Sequence, residues 1–177
     1  MPRPHPQSVP GLIEDLPYGV RLSPSGGQGL FATRGIPLGT RVIQMRGEVL
    51  HRDQVDWSRH WSMQVDRDRY LCNDESHTGV DHFLNHCCEP NLGFVNGGMP
   101  RHEPWLVALR EIHSGEELSW DYSTSMGERG WAMECRCGCD TCRRRIVGFW
   151  DLDDATRARL APNALAYLVD RPLLGRE

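Results

Sequence analysis

Apolar residues along this chain recur mainly at every second position, in short runs broken by Gly, Pro, Asn, Asp and Ser. That is the spacing of half-buried strands joined by turns. Residues 12–22 and 28–33 flank Ser23-Pro24-Ser25-Gly26-Gly27, a strong turn signal, and predict a hairpin. A short strand is expected at 41–45, after the turn at Pro37 and Gly39. Residues 61–65 and 69–71 alternate across Asp66-Arg67-Asp68 and predict a second hairpin. Residues 105–109 and 117–122 read as strands separated by a turn at Ser114-Gly115. Helical signals are fewer. Val55, Trp57 and Trp61 suit a short helix over an apolar patch within 51–61, and 81–86 reads as a helical turn that Pro90 must end. In the tail, Leu160, Ala164, Leu165 and Leu168 share a helical face, with Asp153 or Asp154 as the N-cap. The first ten residues, with four prolines, are expected to be extended or disordered.

Composition sharpens this picture. A length of 177 residues fits one domain, and 18 Gly with 12 Pro favour turns over a helical bundle. The class is mainly β with short helices. Net charge is −4 and no stripe of Lys and Arg stands out, which argues against direct nucleic-acid binding. The run Arg143-Arg144-Arg145 is too short to alter that and reads as a solvated stretch beside the cysteines. The N-terminal residues lack the apolar segment of a signal peptide, and no stretch approaches the roughly 18 apolar residues of a membrane span. The expectation is a protein without a membrane partner, cytoplasmic, or nuclear where the host has a nucleus.

Seven cysteines are an odd number, and a reducing compartment favours metal or catalytic use over disulfides. Cys135, Cys137, Cys139 and Cys142 fall in one loop whose Gly138 permits a tight turn. Thiolates so spaced can wrap a tetrahedral ion with bonds of about 2.3 Å. The loop could supply four ligands by itself. A fourth ligand from Cys88 would do more for the fold, because it would tie the loop to the core. Four sulfurs leave no open position for water, so such a zinc would be structural.

Phe83-Leu84-Asn85-His86-Cys87-Cys88-Glu89-Pro90-Asn91 resembles the RFxNHSCxPN signature of SET-domain protein methyltransferases. Four further segments resemble that family in the right order. They are Gly27-Gln28-Gly29-Leu30-Phe31-Ala32 for its glycine-rich opening, Arg46-Gly47-Glu48 for the end of YxGE, Gly115 to Tyr122 for GEELxFDY, and Cys135 to Cys142 for CxCGxxxC. The resemblance covers about residues 15–146. It implies a β-clip-like SET fold with a pseudo-knot in which the NHCC and GEELSWDY segments cross, and a C-terminal post-SET zinc loop. The implied organisation is an extended segment at 1–14, a SET domain at 15–127, a post-SET segment at 128–148 and a helical tail at 149–177. The residues ahead of the first motif hold no cysteine, so no pre-SET segment is expected.

The resemblance also implies an activity: transfer of methyl from S-adenosylmethionine to the ε-amine of a lysine in a protein substrate, through a narrow channel. By similarity Tyr122 is the catalytic hydroxyl and also touches the cofactor. Gln28, Gly29, Tyr70, Asn85 and His86 bind the cofactor, and Cys88, Cys135, Cys137 and Cys142 hold one zinc. Met45 and Trp120 stand where the family usually has channel Tyr and Phe or Tyr. The Trp either narrows the channel, re-aims the substrate or packs in the core. His82 replaces the usual Arg and Cys87 the usual Ser. Met45 and Trp120, which alter the channel walls, motivate one rival reading, a methyltransferase of a small-molecule amine; a second, of another class, is a catalytically silent, zinc-stabilised binding module.

Overall fold

The computed structural model describes residues 16–58, 61–73, 79–95 and 104–170. The extended segment expected at 1–14 lies outside them. Four small sheets carry the chain, and the fold is mainly β with short helices, as the alternation predicts. β1 (Tyr18–Leu22) and β2 (Gln28–Ala32) form the expected antiparallel hairpin. Its turn places Gly26 and Gly27 at φ 105° and 71°, a region open to residues without a Cβ.

β3 (Arg41–Gln44) is followed by β4 (Glu48–His51), β5 (Trp61–Asp66) and β6 (Arg69–Asn73). β4, β6 and β5 make one three-stranded sheet, in that order. Gln64 is buried at the centre of β5 with both amide atoms used: Nε2 donates to the Arg67 carbonyl at 3.0 Å and Oε1 accepts from the Gly127 N–H at 2.8 Å. β7 (Asn85–His86), β8 (Leu92–Phe94), β9 (Trp105–Ala108) and β10 (Glu117–Trp120) follow. β3, β9 and β8 form a second sheet, and β1, β2, β10 and β7 a third. The main core lies between these sheets, with Leu30, Ile43, Leu92, Leu106 and Leu118 fully or almost fully buried. β11 (Ala132–Glu134) and β12 (Arg145–Val147) form a separate ribbon bracketing the cysteine loop.

Three expectations change. The helix over 51–61 is a single 3-10 turn, Arg52–Gln54, because the residues before it pair with β6 and Val55 is already extended. The two tryptophans therefore part company. Trp57 meets the edge of Tyr70 at 5.0 Å, whereas Trp61 opens β5 and packs at a tilt against His82 at 4.2 Å. The turn over 81–86 is a 3-10 turn at Val80–Phe83 that ends before Pro90 acts, since Asn85 and His86 extend to pair with β10. The strand over 117–122 stops at Trp120, where Asp121 caps a 3-10 turn (Tyr122–Thr124) by accepting the Ser123 N–H at 3.1 Å.

The tail is helical in pieces. Asp153 is the N-cap of α1 (Asp154–Leu160), accepting the Thr156 N–H at 2.9 Å. A 3-10 turn containing Pro162 then leads to α2 (Ala166–Val169). Leu160, Ala164, Leu165 and Leu168 are all buried, as their spacing predicts. Leu165 enters the main core, and the other three pack with Phe149 and Leu152. Among the described residues no helix is long and apolar enough to cross a membrane.

Candidate active site

β7 and β10 run parallel, with Asn85 opposite Ser119 and His86 opposite Trp120. The Cys87 N–H continues the ladder to the Trp120 carbonyl at 3.1 Å. A polar segment and an aromatic one, distant in sequence, therefore share one edge of the third sheet. Asn91 fastens them further, donating to the Glu117 carbonyl at 2.8 Å and accepting the Ser119 N–H at 2.9 Å.

Asn85 brings three expected residues together. Its Nδ2 donates to the Gln28 carbonyl at 3.1 Å, next to Gly29. The same amide donates to Glu117 Oε1 at 2.7 Å, and Glu117 Oε2 accepts from the Ser23 hydroxyl at 2.9 Å. A Cβ on Gly29 would lie 2.2 Å from Glu117 Oε1, so the glycine is what lets this carboxylate reach Asn85. The sequence reading missed Glu117, whose only signal was the second Glu of the GEEL run.

Tyr122 lies in the 3-10 turn just beyond β10. Its hydroxyl donates to the Leu84 carbonyl at 2.8 Å, and its ring sits 5.0 Å from Trp120 and 5.3 Å from His86. Burial, with Glu117 adding its charge, lifts the phenol to about 12, so it stays protonated near neutral pH. A cavity of about 400 Å³ lies against it, with Met45, Met63, Leu71, Leu84, Trp120 and Trp131 among its walls. Met45, Trp120 and His82, three of the four departures from the family pattern, thus face the same space. Trp120 also packs edge-on against Phe94 at 5.1 Å, so it serves both the cavity and the core. Tyr70 is placed elsewhere: it is buried beside Val55 and Cys72, and its hydroxyl donates to Glu128.

His86 turns its ring away from the Gln28–Asn85 corner. Its Nδ1 accepts the Tyr122 N–H at 3.2 Å, which assigns the ring proton to Nε2. Nε2 lies 3.3 Å from Cys88 Sγ and so donates toward that sulfur. Burial, together with nearby Arg143, pulls the imidazole down to about 4 despite Asp121, and it is neutral at physiological pH.

Three of the four expected ligands, Cys88, Cys135 and Cys137, fall in one cluster with His86, and Cys142 joins it through Cys135. Cys88 Sγ lies 3.7 Å from Cys135 Sγ, which lies 3.6 Å from Cys142 Sγ. Cys137 Sγ shares a group with Cys88, Cys135 and His86 whose ligand atoms all fall within 4.8 Å of one another. A tetrahedron with zinc–sulfur bonds of 2.3 Å has edges of about 3.8 Å, close to the Cys88–Cys135 and Cys135–Cys142 separations, while Cys142 lies outside the group formed by Cys88, Cys135, Cys137 and His86. Burial opposes ionisation of Cys137, yet N–H groups of Cys88 and Cys139 and neighbouring thiols bring it down to about 6. Gly138, at φ 73°, makes the turn between Cys137 and Cys139.

One ion pair ties the loop to the tyrosine. The Asp121 side chain is fully buried and takes both Arg143 terminal nitrogens, at 2.7 and 2.9 Å. The Arg143 N–H donates to Cys88 Sγ at 3.4 Å. The residue beside Tyr122 is therefore clamped to the residue beside Cys142.

The family model of the SET domain matches residues 27–123, more than half of the chain, which therefore belongs to the SET-domain family. Its relatives include the mouse histone-lysine N-methyltransferase EHMT1, 33% identical over 132 residues, covering 66% of this chain and 10% of that protein. The histone-lysine N-methyltransferase trithorax of Drosophila melanogaster is 30% identical over 137 residues, 72% of this chain and 4% of that protein. A histone-lysine N-methyltransferase of Mycosarcoma maydis, H3 lysine-4 specific, is 33% identical over 136 residues, 69% of this chain and 9% of that protein. The chain spans a tenth or less of the length of these relatives.

Proposed function

We propose that this chain is an S-adenosylmethionine-dependent protein-lysine N-methyltransferase with one structural zinc held by Cys88, Cys135, Cys137 and Cys142. The observation that carries this reading is the Tyr122 hydroxyl, anchored on the Leu84 carbonyl against an apolar cavity and one strand away from Asn85. Membership of the SET family, whose relatives here carry the name histone-lysine N-methyltransferase, supports it.

S-adenosylmethionine, when bound, supplies a methyl group on a positively charged sulfur. The corner of Gln28, Gly29 and Asn85 offers main-chain and amide groups to hold it, with Glu117 fixing the Asn85 side chain. An accepting lysine amine must be neutral, yet its ordinary pKa is about 10.4. The apolar walls at Met45, Leu84 and Trp120 disfavour the ammonium form, so the proton goes to solvent before the amine is enclosed. Tyr122, held as a neutral phenol, spends its own proton on Leu84 and presents oxygen lone pairs to an amine N–H. It positions the nucleophile by hydrogen bonding rather than acting as a strong base. His86 would orient Cys88 from outside the ligand set, since its Nε2 carries a proton. The seven thiols suit a reducing compartment, the cytoplasm or the nucleus of a nucleated host.

The test is incubation of the purified chain with methyl-labelled cofactor and a cell extract. Label on protein is expected, falling about 100-fold or more for Tyr122→Phe. Equal labelling by the variant would refute the role of Tyr122. Label passing a protein-retaining filter would favour a small-molecule amine as acceptor, and cofactor binding without turnover would favour a silent module.

A further inference from the structure

Four of the seven cysteines match the expected zinc motif, and Cys72 lies apart, beside Tyr70. The remaining two, Cys87 and Cys139, occupy positions the motif does not require. They come from segments far apart in sequence, yet both close on Cys137. The sulfurs of Cys87, Cys137 and Cys139 all lie within 4.8 Å of one another, and Cys137 Sγ is 3.5 Å from Cys139 Sγ. We propose that these three thiolates form a second site for a soft d10 cation, zinc or copper(I), with Cys137 bridging it to the four-thiolate zinc.

The chemistry of the cluster supports this. A thiolate keeps lone pairs after binding one ion and can bridge to a second. Three sulfurs suit trigonal copper(I), or zinc with a solvent molecule in the fourth position. All three cysteines are only partly buried, unlike Cys88 and Cys135, which leaves an approach for an incoming ion. The segments are held in place independently of any ion. The Glu89 N–H donates to Cys87 Sγ at 3.4 Å, and the Thr141 hydroxyl donates to Glu89 Oε1 at 2.6 Å, joining the Cys87 segment to the loop. Six thiolates around two zinc ions carry a net charge of −2, and Arg143, Arg144 and Arg145 follow the loop directly. Arg143, expected to be solvated, is committed to Asp121, so the exposed Arg144 and Arg145 are what remain of the basic run to balance that charge.

This inference rests on the four-thiolate reading of the first site, and one experiment separates the two. The full chain is purified anaerobically with reductant, equilibrated with excess zinc or with copper(I) as its acetonitrile complex, and desalted. Metal per chain is measured by mass spectrometry alongside free thiols. Two ions per chain are expected for the wild type and one for Cys87→Ser/Cys139→Ser, with unchanged circular dichroism. Two zinc ions, or one zinc with one copper after sequential loading, would distinguish the cations. One ion in both proteins would overturn the second site and leave the first standing. No ion in either would overturn both. Two missing thiols with a Cys87–Cys139 peptide linkage, and one ion, would show a disulfide pair instead and overturn the proposal. Should the double variant misfold, the single Cys87→Ser protein, which leaves the loop intact, serves the same count.

Discussion

Asp121 carries a side chain wholly removed from solvent, and its charge is met by the fork of Arg143, with the Ser123 N–H as a further donor. A buried charge left without its partner typically costs about 3–5 kcal/mol, although an apolar replacement of both partners can be nearly neutral. Arg143→Met should therefore lower stability by about that amount in urea unfolding. Asp121→Leu/Arg143→Met should be closer to wild type than either single change, and two additive losses would show that the pair is not coupled. Gly29 allows a sharper residue-level test. A methyl there would meet Glu117 Oε1 at 2.2 Å and must displace a carboxylate that Asn85 needs. Gly29→Ala is expected to weaken S-adenosylmethionine binding by about tenfold or more, about 1.4 kcal/mol, with the fold intact. Calorimetry reads this directly, and unchanged affinity would remove the Gly29–Asn85 corner from the cofactor site.

Among the elements, the tail has the largest consequence for the site. The Leu165 N–H donates to the Thr124 carbonyl at 2.9 Å, at the end of the turn that begins at Tyr122, and the Tyr167 hydroxyl donates to the carbonyl of Ser125, the next residue. The helix α2 and the residue that leads into it thus brace the tyrosine turn instead of forming an appendage. Leu168 is completely buried against Gly127 and Phe149. Leu168→Ala should cost about 2–5 kcal/mol in denaturant unfolding. It should also slow methyl transfer, because the turn loses its support. Stability and turnover both equal to wild type would show that the tail merely decorates the domain.

Across the whole molecule, the thiolate loop joins the segment after β7 to the ribbon of β11 and β12, and the Asp121–Arg143 pair links that ribbon to Tyr122. Removing zinc with a strong chelator under reducing conditions should speed amide exchange over residues 131–148. Exchange in β5, β6, β3 and β9 should stay slow, since metal binding and local folding are coupled only where the ligands lie. Methyl transfer should fall with the loop. An exchange profile indifferent to chelation would indicate that the loop is ordered without metal.

Alternation, turn residues and cysteine spacing were enough to read the two hairpins, the buried face of the tail and the loop of thiols. These depend on neighbours in sequence, where the geometry of a strand, helix or tight turn fixes which side chains share a face. The signature residues also singled out Asn85, His86 and Tyr122, which the structure gathers along the pairing of β7 with β10. What they touch could not be read that way. Glu117 beside Gly29, His86 turned toward Cys88, the pairing of Asp121 with Arg143 and the meeting of Cys87 with Cys139 all join segments whose separation carries no local signal. The expected helix at 51–61 yielded for the same reason: β6 offered its neighbouring residues a ladder of hydrogen bonds that local periodicity could not anticipate. Sequence alone determined which chemical groups are present and which local shapes they favour; tertiary packing decided which of them meet, because contacts between distant segments are set by the shared core.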